Sequence, residues 1–150
     1  MRTFTSNPLE IPPLAPGRTI SRADLVLYGV GHRSDSYEVR VFLDQPDADH
    51  GTPLRLDRGY AGYFTVFGHG GCFGDEGHCD PNARVTDEFD LRLPNKATPH
   101  TKIVRVTEAV RRITAAATTV RLVCVQPGED EAAEPSDELS FVSLRLLTYE

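Results

Sequence analysis

Four side chains with metal-ligand or redox chemistry crowd one short stretch. Five histidines and three cysteines are spread over 150 residues, yet His69, Cys72, His78 and Cys79 fall within eleven. Thiolate and imidazole are the preferred ligands of zinc and copper. The stretch Gly68–Asp80 also holds five glycines, which let a backbone bend side chains toward one point. Asp75, Glu76 and Asp80 could add oxygen ligands or orient an imidazole. Against this, the spacing H-x2-C-x5-H-C is not a zinc-finger pattern. Adjacent His78 and Cys79 also need an irregular backbone if both are to face one ion. The weightier reading is a turn-rich loop, stapled by a Cys72–Cys79 disulfide or holding two reduced thiols. Cys124 sits among apolar residues and is expected to be a buried small hydrophobe. His32, His50 and His100 stand isolated among turn residues and are expected to be surface or capping histidines.

No other pattern marks a catalytic centre. The chain has no G-x-S-x-G, no H-E-x-x-H, no Walker A and no G-x-G-x-x-G before a helix. The acid pairs Asp75/Glu76 and Asp87/Glu88 are adjacent residues. On a strand such neighbours point to opposite faces and do not make an acid/base pair. An enzyme built on the His69–Cys79 loop is therefore the least supported reading.

The elements that must position these residues read as β. Residues 1–22 carry Pro8, Pro12, Pro13 and Pro16, then Gly17, and predict an extended arm or linker. The remainder, 23–150, predicts one β-sandwich domain. Leu25–Tyr28 is a short apolar run closed by Gly29 and Gly31. Tyr37, Val39, Val41 and Leu43 alternate with Glu38, Arg40 and Phe42, the period of a half-buried strand. Tyr60–Phe67 is the most aromatic segment and predicts a strand. Phe89, Leu91 and Leu93 alternate, and Ile103, Val104 and Val106 mark another strand. Val106, Val110 and Ile113 are spaced i, i+4, i+7, so Thr107–Ile113 predicts a short helix with Thr107 or a near neighbour as N-cap. Val120–Val125 alternates and stops at Pro127. Residues Gly128–Glu138 are acidic and predict a solvated loop. Leu139–Tyr149 predicts the last strand, with Val142, Leu144 and Leu146 on one face. About seven short strands, one short helix and no long crossover helix give an all-β, antiparallel β-sandwich. Of the aromatic residues, Tyr63 and Phe67, with Phe73 in the loop, are candidates to face a partner.

Composition narrows the function classes. Apolar residues make up 39% and charged residues 25%, an ordinary globular balance. Sixteen Lys plus Arg against twenty-two Asp plus Glu leave a net charge of −6. General nucleic-acid binding needs concentrated cations and is not expected. No apolar run approaches the ~20 residues of a membrane span. The N-terminus lacks the apolar core of a secretory signal. A cytoplasmic location is the expectation, either as a whole protein or as a piece of a larger one.

The strand sequences resemble a known family. Tyr60-Ala61-Gly62-Tyr63-Phe64-Thr65-Val66-Phe67-Gly68-His69 is similar to the F-A-G-S-F-x-x-x-x-H segment in the C-terminal domain of plant-type polyphenol oxidases and related tyrosinases. Tyr37–Leu43 resembles the strand there that reads F-D-V-F-V-N. Thr101–Ile113 resembles that domain's strand and short helix, Thr118–Pro127 its V-T-L-V-P strand, and Leu139–Glu150 its final strand. The order is kept over residues 23–150. The His69–Cys79 loop resembles a bacterial elaboration after tyrosinase-type catalytic domains.

The resemblance implies a β-sandwich that packs, in cis or in trans, on a helical dicopper catalytic domain. Such a domain covers the copper site, keeps the enzyme latent or helps load copper. The family's dicopper chemistry draws on six histidines carried by a four-helix bundle. This chain has five histidines in all and no long helix, so it is not expected to be an enzyme by itself. The expected function is a non-catalytic accessory domain. The alternative is a stand-alone copper- or zinc-binding module using His69, Cys72, His78 and Cys79, and the two roles are compatible.

Overall fold

Alternation in Tyr37–Leu43 sorts its side chains onto two faces, and the architecture follows from that sorting. The computed structural model describes residues 3–32, 36–68, 89, 98–126 and 139–150. In chain order the strands are β1 (Thr3–Thr5), β2 (Leu9–Glu10), β3 (Arg22–Val30), β4 (Tyr37–Leu43), β5 (Tyr60–Val66), β6 (His100–Arg105), β7 (Ala117–Thr118), β8 (Val120–Val125) and β9 (Ser143–Tyr149). One helical turn, α1 (Thr107–Val110), follows β6. A four-stranded sheet has the order β1-β8-β4-β5 and a three-stranded sheet the order β6-β3-β9. A two-stranded ribbon, β2-β7, lies apart from them in the pairing. Every described pairing is antiparallel. The all-β fold with a single short helix is therefore observed.

The inward residues of both large sheets make one core. From β4 come Tyr37, Val39, Val41 and Leu43; from β3, Ala23, Leu25 and Leu27; from β8, Val120, Leu122 and Cys124. Each fully buried Val or Leu side chain contributes about 1.5–3 kcal/mol relative to exposure. Cys124 is buried as a small hydrophobe, as its strand position suggests. β5 of one large sheet touches β6 of the other. There Gly62, at φ +141°, leaves room for Val104. The pairing shifts register between Val41 and Phe42, opposite Gly62 and Tyr60. A bulge of this kind bends the strand and increases its local twist.

The structure departs from the sequence pattern at three places. The proline-rich arm is extended but also contributes β1, which pairs with β8, and β2, which pairs with β7. Three- and two-residue strands carry too little alternation to be read in advance. The helix ends as a helix at Val110 and turns at Arg111. Its N-cap is Val106, the near neighbour of Thr107, and makes no side-chain cap. The Thr107 hydroxyl instead accepts the Ala23 N–H at 3.0 Å, tying α1 to β3. Finally, Leu144 and Leu146 pack against the core while Val142, outside β9, is 83% exposed. Val142 instead gives its N–H to the Tyr28 carbonyl at 2.8 Å. The strand expected around Phe89, Leu91 and Leu93 lies outside the described residues except for Phe89, which is exposed.

Candidate interaction surfaces

The residues singled out for metal chemistry, His69, Cys72, His78 and Cys79, lie outside the described residues, as does Phe73. Among the described residues no group of three or more His, Cys, Asp or Glu could hold a metal ion. What the described residues offer is two sheet faces.

The first is the outer face of β1-β8-β4-β5. Register sets two rows across it, Thr5–Arg121–Phe42–Tyr60 and Thr3–Val123–Arg40–Tyr63. The segment after β4 folds back over part of this face. Ala48 packs with Phe42 and Val123 in a small second cluster, with Tyr60 and Val125 beside it. Two arginines pin the segment down. Arg121 donates from Nε to the Ala48 carbonyl at 3.1 Å and from Nη1 to Thr5 Oγ1 at 2.8 Å. Arg40 donates from Nη1 to the His50 carbonyl at 2.9 Å and pairs through Nε with Glu38 at 3.0 Å. Burial, then the nearby Glu38 and Tyr63, raise the Tyr60 phenol above its ordinary value. The uncovered part carries Tyr63, 55% exposed, and Phe67, 80% exposed, so these two of the three aromatic partner candidates are accessible.

The second is the outer face of β6-β3-β9. Asp24, nearly buried, is opposite Arg105 on one side and Leu147 on the other. Val26 is opposite Ile103 and Arg145. Arg22 holds Asp24 Oδ2 from Nε and Nη2, each at 2.7 Å. That hydrogen bond and charge raise the guanidinium pKa further above its usual value. Arg22 also stands 5.8 Å above the Tyr149 ring.

One relationship escaped the sequence reading. His32 and His100 are not isolated: their ring centroids lie 4.4 Å apart. His32 is buried, and its Nε2 lies 2.8 Å from the Thr98 carbonyl. A carbonyl only accepts, so this nitrogen carries the proton. The two histidines are 68 positions apart and meet because Val30 pairs with His100. Only the β3–β6 register could have revealed this.

The chain matches solved structures over 98% of its length. Latent aurone synthase, a polyphenol oxidase from natural source, superposes with a TM-score of 0.58 at 16% identity, over 24% of its own chain. The recombinantly expressed latent enzyme gives 0.57 at 16% identity, with the same coverage of both chains. The fold is that of a polyphenol oxidase domain. The chain spans about a quarter of the structures it matches, the share that a C-terminal domain alone would occupy. No protein-family model matches the sequence, and no curated protein does. No described helix is long and apolar enough to cross a membrane.

Proposed function

We propose that this chain is a non-catalytic accessory domain that packs on a tyrosinase-type dicopper catalytic domain, in cis or in trans. It shields the copper site or assists its maturation. The observation that carries the reading is coverage: nearly the whole chain superposes on about a quarter of a polyphenol oxidase. The matched enzymes are named as latent, and a sandwich seated over a copper site supplies latency by excluding substrate. Among the described residues of the two sheet faces no acid/base pair or nucleophile with its base stands out, which suits docking better than turnover.

The test supplies the chain in trans to a tyrosinase-type helical domain. Complex formation by calorimetry, with lowered oxidase activity or raised copper occupancy, is the expected result. Absence of a complex with tyrosinase-type helical domains removes the reading.

A further inference from the structure

The outer face of β6-β3-β9 is cationic on a protein whose net charge is −6. Arg105 and Arg145 are exposed on the two outer strands of this sheet and make no ion pair among the described residues. The third arginine, Arg22, is already engaged by Asp24. Between the two open guanidinium groups β3 presents Asp24 and Val26, 3% and 4% exposed, with the Asp24 carboxylate held by Arg22. Ile103, 59% exposed, stands beside Val26 on β6 and is the apolar side chain open to a partner. An apolar centre with a charged rim is the layout of a protein-docking surface. Its charge selects an acidic occupant.

The spacing narrows that occupant. Arg105 is opposite Asp24 and Arg145 is opposite Val26. Two strand spacings of ~4.8 Å and two residues of ~3.4 Å separate them by about 12 Å between Cα atoms. On a helix rising ~1.5 Å per residue, side chains two turns apart are about 10.5 Å apart along the axis. One turn in from either end, an apolar side chain on the same stripe would pass over β3 between the Arg22-paired Asp24 and Val26 and reach the exposed Ile103.

We propose that this face, rather than the Tyr63–Phe67 face, receives a helix of the partner protein carrying two carboxylates two turns apart with an apolar residue between them. The proposal rests on the accessory-domain reading only for the partner being helical. Binding is salt-sensitive, because two exposed ion pairs frame it.

The experiment uses two probes. The first is a synthetic helical peptide with two glutamates two turns apart and a leucine between them, titrated into the full chain. The second is the tyrosinase-type helical domain itself. The double variant Arg105→Glu, Arg145→Glu should weaken both by about tenfold or more. The double variant Tyr63→Ala, Phe67→Ala should leave both unchanged. Both arginines are exposed, so an unchanged thermal midpoint shows that the charge variant is folded. A peptide that fails to bind, or that binds equally well with lysines for glutamates, overturns the proposal. A helical domain that binds but responds only to the Tyr63/Phe67 variant overturns the choice of face and leaves the accessory reading standing. If the peptide binds with the expected charge dependence and the domain does not, the face keeps its chemistry and the accessory reading falls.

Discussion

Gly62 of β5 and Val104 of β6 face each other across the two large sheets. A Cβ built on Gly62 would stand 2.9 Å from Val104 Cγ1, and Gly62 itself has φ +141°. Both the space and the dihedral exclude a side chain there. Gly62→Ala is expected to cost about 1–3 kcal/mol through strain and overpacking. Urea denaturation should show a lower midpoint with an unchanged slope. A variant as stable as the parent would mean that β5 and β6 are not held this closely.

Asp44 plays a comparable part at the far end of β4. It is a non-glycine residue at φ 53°, a conformation that Asp and Asn tolerate better than most. Its Oδ1 accepts the Thr119 N–H at 2.8 Å and the Thr118 hydroxyl at 3.0 Å. Asp44→Ala loses the oxygen that accepts both bonds and the left-handed preference, and should cost about 1–2 kcal/mol. Asp44→Asn keeps an acceptor oxygen and should stay within about 0.5 kcal/mol of the parent. Thermal melting of the pair distinguishes a capping role from a need for charge.

The strands legible in the sequence are those whose alternation runs long enough. In β4 and β8 every second residue enters the core, so period alone assigned both faces. Thr3–Thr5 gave no such signal, because its strand character comes from pairing with β8. Thr107 was recognised as a helix-start residue, but its hydroxyl serves a β3 amide, a demand set by tertiary contact. The cationic face was invisible for the same reason. Arg105 and Arg145 are forty positions apart, and only their shared neighbour β3 makes them one surface.

Tyr60 gives the fold a defined alkaline response. Its phenol is raised by burial and then by Glu38 and Tyr63. In the unfolded chain a tyrosine ionises near pH 10, so the folded value lies above the unfolded one. The resulting stabilisation is complete below about pH 10 and is lost as pH rises through the folded value. Tyr60→Phe keeps the ring that meets Phe42 edge-on at 5.6 Å and removes the titration. Between about pH 9 and about pH 11 the parent should lose more stability than the variant. Equal losses in denaturation midpoint would show that Tyr60 ionises as freely folded as unfolded.

Thr107 is the residue through which α1 holds β3, the central strand of the proposed docking face. Its buried hydroxyl accepts the Ala23 N–H, and Val106 donates its own N–H to the Ala23 carbonyl at 2.8 Å. Ala23 is fully buried, so its amide finds no water if the hydroxyl is removed. Thr107→Val keeps nearly the same volume and leaves that amide unsatisfied, at a cost of about 1–3 kcal/mol. Thr107→Ser keeps the acceptor and loses one methyl, about 0.8 kcal/mol. Valine should therefore be the worse substitution, although it is the more apolar. Amide exchange at Ala23 should quicken in the valine variant and stay slow in the serine variant. Because Arg22 and Asp24 flank Ala23, the valine variant should also bind the acidic helical peptide more weakly. If valine proves the milder change, packing rather than the hydrogen bond fixes the start of β3.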